Sequence, residues 1–230
     1  MVLFGTDCQA GVGTVAKTQA RGEAEQAETR TRILDAAFEE FMKSGYASSS
    51  TLEIATRARV SKRDLYALVG NKQAMLAACI SARAGRLRVP ADFPVPRDRE
   101  TLRQVLVGLG SRLVSEITDP TVIAVFRLAI AEAVNAPEVA QALDSIGREA
   151  SRSALRQIMA GAQRSKLLTG DPGDLAEQFG GLLWGNLMVS LLLGVAKRPA
   201  PQELSARARN AADSFMQLHA PRTRSGGKAL

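Results

Sequence analysis

The sequence predicts an all-α chain: a three-helix head and then a longer helical body, about nine helices altogether. Three observations predict it. Ala, Leu and Val supply most of an apolar content of 46% over 230 residues, while aromatics reach only 4%, and that composition favours helix over sheet. Apolar residues recur at steps of three and four through the longer segments. Helix starts are marked by capping residues, with Ser50 three before Glu53, Ser61 three before Asp64, and Asp-Pro pairs at 119–120 and 171–172.

Residues 1–27 hold Gly, Thr, Ala and Gln with no sustained period, which predicts a disordered arm that turns helical near Ala20. Met1–Phe4 is too short for a signal peptide core. Ile33, Leu34, Ala37, Phe38 and Phe41 then recur at helical spacing from about residue 28 to Lys43, and Gly45 ends the run. Residues 50–72 read as two short helices joined at Arg59-Val60. Ser50 caps the first, whose apolar side is Leu52, Ile54, Ala55 and Ala58. Ser61 caps the second, which carries Lys62, Arg63 and Tyr66 in its first turns and points Leu65 and Leu68 inward. Helices this short cannot hold themselves together in water, so both must lean on the helix before them. Two short helices around a tight turn, the second opening with cations, form a helix-turn-helix pattern whose second helix enters a DNA major groove.

At these residues the chain resembles the tetracycline-repressor (TetR) family of bacterial regulators. The resemblance rests on Gly45-Tyr46, Ser50-Thr51, Glu53-Ile54-Ala55, Ala58-Arg59-Val60-Ser61, Leu65-Tyr66 and Lys72, in order and at fixed spacing. Two departures stand out: Arg59 where the family often has Gly, and Leu68-Val69 where an aromatic pair commonly follows. The resemblance implies a DNA-binding domain over residues 28–72. Lys62 and Arg63 would reach base edges or nearby phosphates, and arginine can pair bidentately with guanine. Ser50, Thr51, Ser61, Tyr66 and Lys72 complete the expected DNA-contacting set, although both serines also serve as caps.

Lys72 opens a fourth helix through about Arg88, with Met75, Leu76, Cys79 and Ile80 inward; three prolines in residues 90–97 make a linker. Leu102, Val105, Leu106, Leu109, Leu113 and Ile117 mark a helix over 98–117. Asp119-Pro120 starts one bearing Val122, Ile123, Phe126, Ile130 and Val134. Pro137 starts another that continues through Met159. Phe179–Ala196 runs 18 residues without a charge. That length and its Gly181-x-x-x-Gly185 spacing also suit a membrane span, but Asn186, Ser190 and the charged flanks favour a helix buried on every side. The last helix, 202–218, carries Leu204, Ala208, Ala211, Phe215 and Leu218 in coiled-coil steps. By the resemblance, residues 73–220 form a ligand-binding and dimerisation domain, in which these last two helices supply half of a four-helix dimer interface. The tail 221–230 is expected to be flexible. FRLAIAEA at 126–133 is similar to the subgroup with an AefR-like C-terminal domain.

The net charge is +7, and residues 28–90 hold 11 Lys/Arg against 6 Asp/Glu, an excess on the head that suits phosphate. Cys8 and Cys79 have no partner at ligand spacing, so a disulfide framework and a metal site are both unsupported and a reducing cytoplasm fits. His219 is the single histidine, and no nucleophile–base pair or phosphate loop appears. The chain therefore reads as no enzyme, with no cofactor. The resemblance implies a homodimeric repressor that leaves a palindromic DNA operator when a small hydrophobic ligand enters the body. Phe93, Leu106, Phe126, Ile130, Met159, Phe179, Trp184 and Met188 are its candidate pocket residues, with Arg127, Glu132 and Asn186 as the candidate polar groups to orient the ligand. Plain core is the competing role for each apolar one. A ligand-independent regulator or an activator of the same fold is the alternative, and a membrane-associated helical protein a more distant one.

Overall fold

The structure is a computed structural model and describes residues 10–85 and 95–220. The described residues are helical with short connections. They divide into two compact units, Met1–Cys79 and Ile80–Leu230.

The first unit holds α1 (Ala10–Ser44), α2 (Thr51–Ala58), α3 (Lys62–Val69) and the first part of α4 (Lys72–Ala84). Helix α1 begins at Ala10 rather than near Ala20, so residues 10–19 are helix where the sequence predicts a disordered arm. Ala, Glu and Gln supply nine of the eighteen residues 10–27, and these are strong helix formers whose propensity carries no apolar period. Ile33, Ala37 and Phe41 on α1, Ile54, Ala55 and Ala58 on α2, and Leu65 and Val69 on α3 are buried. Two expectations change here. Leu52 is 60% exposed, because it lies about a third of a turn round the helix from the Ile54, Ala55 and Ala58 side. Val69 rather than Leu68 closes the base of α3, since i+4 from Leu65 keeps the same side of a helix.

Arg59 ends α2 with φ 56°, ψ 46°, and its N–H donates to the Ala55 and Thr56 carbonyls. The left-handed cap turns the chain within two residues, so α3 can start at once. Ser61 then caps α3, accepting the Asp64 N–H at 3.0 Å and donating to the Asp64 carboxylate at 2.6 Å. Asn71 caps α4 by accepting the Ala74 N–H at 2.8 Å.

The second unit holds the end of α4, α5 (Arg99–Ile117), α6 (Pro120–Glu132), α7 (Pro137–Ala142), a π-helical segment (Leu143–Arg148), α8 (Glu149–Arg164), α9 (Pro172–Trp184), α10 (Leu187–Leu192) and α11 (Pro201–Leu218). Leu102, Leu106, Leu109 and Leu113 of α5 share one core with Leu204, Ala208, Ala211 and Phe215 of α11. Burying each leucine contributes about 2 kcal/mol. Phe179 of α9 meets Phe215 edge-on at 5.6 Å. Arg103 closes the α5–α11 contact with two hydrogen bonds to Asp213, at 2.5 and 3.2 Å.

Four readings of the body are corrected. The Leu204-to-Phe215 stripe is buried within the chain's own core, while Leu218 is 69% exposed and does not belong to it. The apolar run Phe179–Ala196 is not one helix: Gly185, at φ 46°, ψ −133°, ends α9, and α10 starts afresh at Leu187. The helix from Pro137 is interrupted by the π-segment. On α6 the buried face is Ile123, Val125, Leu128 and Ala129, whereas Ile130 and Val134 are 62% and 89% exposed. No described helix is long and apolar enough to cross a membrane.

Candidate DNA interface and ligand cavity

In the first unit, Lys62, Arg63 and Tyr66 are exposed on the first two turns of α3, while Leu65 and Val69 are buried. The Tyr66 hydroxyl lies 3.3 Å from the Thr51 hydroxyl. That contact joins the start of α2 to α3, the two elements whose N-terminal ends carry Ser50, Ser61, Lys62 and Arg63. The first turns of both helices also offer N–H groups and positive dipole ends to an anion. Ser50 accepts the Glu53 N–H at 3.4 Å, so its hydroxyl sits at the mouth of α2.

Lys72 is placed differently. Its ammonium donates to the carbonyls of Ala47 and Ser49 at 3.0 and 3.1 Å and lies 4.8 Å from the centre of the Tyr46 ring. Tyr46 is buried against Phe41. Lys72 thus ties the start of α4 to the turn that precedes α2, and most of its hydrogen-bonding capacity is spent inside the head. Arg57 is engaged too. It pairs with Glu39 at 2.7 Å and approaches Glu40 at 3.9 Å, and the hydrogen bond to Glu39 raises its pKa above the ordinary arginine value. These contacts fix α2 against α1 and leave Arg59, Lys62 and Arg63 as the exposed cations around the turn.

In the second unit a cavity of about 60 Å³ is walled by the end of α4 (Ile80, Arg83, Ala84), the end of α5 (Glu116, Ile117), α6 (Val122, Val125, Phe126) and the π-segment with the start of α8 (Leu143, Gly147, Arg148, Ser151). Only Phe126 of the sequence-named pocket residues lines it. Leu106, Met159 and Phe179 are fully buried core, and Met188 packs at the edge of that core. Ile130 faces away, and Phe93 lies outside the described residues. Trp184 lines a second, groove-like cavity of about 250 Å³ between α8 and α9, with Arg148, Arg152, Arg156 and Glu177. Arg127 donates to the Leu191 and Leu192 carbonyls at 2.8 and 3.1 Å, holding α6 against α10. Asn186 occupies the first position before α10, and Glu132 is buried at the end of α6. Neither lines these two cavities.

The sequence misses most of the cavity because its walls come from the ends of four elements. Gly147 is the one local signal. A methyl group there would meet Leu143 Cδ1 at 3.1 Å and Ile80 Cγ2 at 3.4 Å, so its lack of a side chain lets the π-segment close on α4. Among the described residues no group of His, Cys, Asp and Glu is arranged to hold a metal ion.

A helix-turn-helix unit with an exposed basic second helix, joined to an all-helical unit with its own cavity, defines a class: transcriptional regulators that bind DNA through one unit. Residues 33–79 match the family model for bacterial regulatory proteins of the tetR family, and residues 104–221 match that for the AefR-like transcriptional repressor C-terminal domain. The chain belongs to the TetR family of transcriptional regulators. It is 23% identical over 175 residues to the HTH-type transcriptional regulator YvkB of Bacillus subtilis, covering 76% of this chain and 89% of that protein. Among solved structures it is similar to a TetR regulator from Agrobacterium tumefaciens (27% identity, TM-score 0.69, 83% of this chain and 94% of that one). It is similar also to the flavonoid-responsive regulator FrrA (25% identity, TM-score 0.69, 85% and 99%).

Proposed function

We propose that this TetR-family regulator is a homodimeric, cytoplasmic repressor that leaves a palindromic operator when a small hydrophobic ligand enters its second unit. The observation that carries the reading is the position of the 60 Å³ cavity against Ile80, Arg83 and Ala84. These residues belong to α4, whose other end holds Lys72 against the turn before α2. The start of α4 thus belongs to the first unit and its end lines the cavity of the second. A ligand that fits the cavity only when that end of α4 moves would have different affinities for two positions of the helix, and such a difference is what shifts an equilibrium. The similarity to FrrA, a flavonoid-responsive regulator, supports a small-molecule response.

At the head, Lys62 and Arg63 would read base edges, while Ser50, Thr51, Ser61 and Tyr66 would position the backbone. Lys72 would act mainly by holding α4. Two heads in a dimer would then require half-sites about one helical turn apart or a multiple of it.

The test is a gel shift on the DNA flanking this protein's own coding region. The wild type should give a discrete complex that Lys62→Ala/Arg63→Ala abolishes at unchanged oligomeric mass. Reporter expression from that promoter should rise when the gene is deleted. A complex that the double variant retains would overturn the α3 assignment, and reporter expression that falls on deletion would make the protein an activator.

A further inference from the structure

The apolar cavity and the groove between α8 and α9 share two residues, Arg148 and Ser151. Arg148 ends the π-segment and Ser151 is three residues into α8, so the same half-turn forms the floor of one space and the rim of the other. The two spaces differ in chemistry. The first is lined mainly by aliphatic side chains and Phe126. The second carries Arg148, Arg152 and Arg156, which recur every fourth residue on one side of a helix, facing Trp184 and Glu177 of α9.

The volumes matter. At about 60 Å³ the apolar cavity falls well short of the ~300 Å³ at which small-molecule sites begin. The groove adds about 250 Å³. The two spaces lie on either side of Arg148 and Ser151, so a ligand that exceeds the apolar cavity can extend into the groove if these two side chains give way. The groove lining is rich in guanidinium groups. Asp144 is the common partner of Arg148, at 2.7 Å, and Arg152, at 3.3 Å. One carboxylate thus serves two guanidinium groups. Arg156 pairs with Glu149. The lining has three guanidinium groups against the single Glu177 carboxylate, and Asp144 and Glu149 partner those three groups beside it, so an incoming anion competes with these two acids. Ser151 is buried and donates its hydroxyl hydrogen to the Arg148 carbonyl at 2.8 Å, which leaves its oxygen able to accept but not to donate. A π-helical segment placed where the two spaces meet fits a functional position, since such segments concentrate at functional sites.

We infer that the effector is an elongated amphipathic anion. Its apolar part fills the cavity beside α4, and its carboxylate or phosphate group lies in the groove against Arg152 and Arg156. Arginine suits both head groups through paired, charge-assisted hydrogen bonds. This rests on the proposal that the second unit binds a ligand, and it adds the sign and shape of that ligand.

Trp184 lines the groove and is the only tryptophan in the chain, so its fluorescence reports occupancy without any DNA. The full-length protein is titrated with decanoate, decyl phosphate, decanol and decyltrimethylammonium, each below its micelle concentration. Both anions, or one of them, should change Trp184 emission and bind roughly tenfold or more tighter than the alcohol, with the cation weaker still. The two anions separate a carboxylate head from a phosphate head. Arg152→Gln/Arg156→Gln should weaken the anion by a similar factor and leave decanol binding unchanged. Its thermal midpoint should stay near that of the wild type, because exposed ion pairs contribute little. Equal binding of anion and alcohol, anion binding that survives the double substitution, or no response to either anion would overturn the inference. Operator release is scored separately. An anion that changes Trp184 emission without freeing DNA would sink the release mechanism and leave the groove assignment standing. Release by a neutral aromatic compound alone would do the reverse.

Discussion

At the scale of single residues, the polar contacts of this chain mostly hold elements in register, and their pH behaviour follows from that. Arg103 of α5 grips Asp213 of α11 through two hydrogen bonds. The Arg103 guanidinium holds the Asp213 carboxyl below the ordinary aspartate value of 3.8. Asp98 is lowered as well, by the backbone and hydroxyl hydrogen bonds from Thr101 that start α5. A carboxylate with a depressed folded-state pKa contributes stability that is fully present above its unfolded value. That contribution is lost as pH falls through the folded value. Acidification below about pH 4 should therefore loosen the α5–α11 pair. Asp213→Asn should lower the thermal midpoint of the body at pH 7 and flatten its fall between pH 5 and pH 3. Thermal melts followed by circular dichroism at both ends of that range check it; an unchanged acid slope in the variant would remove Asp213 from the account. Arg59 shows what residue-level reading can do. The sequence placed an arginine where a glycine is common in the turn, and the structure gives it φ 56°. The turn is thus made by a residue with a side chain, at the modest cost of the left-handed conformation.

At the scale of elements, the head was largely legible and the body only in outline. Ser50, Ser61 and the apolar spacing place α2 and α3 to within a residue, because capping and periodicity are local properties. The break inside the Phe179–Ala196 run was not legible. Eighteen uncharged residues look continuous, and a glycine inside a helical pattern usually costs only about 1 kcal/mol. The tertiary contact decides: Arg207 of α11 donates to the Leu183 and Trp184 carbonyls at 3.1 and 3.3 Å, taking over the end of α9. Likewise the cavity walls were hidden, because Ile80, Ile117, Phe126 and Gly147 lie far apart in sequence and meet only on folding. Gly185→Ala should destabilise the second unit by about 1–3 kcal/mol, since φ 46° with ψ −133° is a region that residues with a β-carbon avoid. A urea titration should show the midpoint fall at unchanged slope. No shift would mean that α9 can run on through residue 185, and the break would then be a weak preference.

At the scale of the whole molecule, the question is which surface joins two copies in the proposed dimer. The sequence nominated the last two helices together, Phe179–Ala196 and 202–218; of these, Leu204, Ala208, Ala211 and Phe215 are spent on the chain's own core with α5 and α9. The same region offers a different apolar surface. Leu182, Val189, Leu193 and Val195 are 36%, 57%, 71% and 76% exposed, and Gly181 has open space above its Cα. Exposed aliphatic residues gathered on one short stretch call for a partner more than scattered ones do. The break at Gly185 divides this stretch between α9 and α10 rather than removing it. Val189→Glu/Leu193→Glu should therefore leave the fold intact, because neither side chain is buried within the subunit, while disfavouring association by placing charges in an apolar contact. Sedimentation should then show a species of 24.5 kDa, the mass of one chain. Helical content should be unchanged. Operator affinity should fall roughly a hundredfold or more, because the second head loses the high local concentration that its tether to the first provides. A dimer that persists through both substitutions would move the interface away from α9 and α10. A monomer that still binds the operator at full strength would show instead that a single head carries recognition.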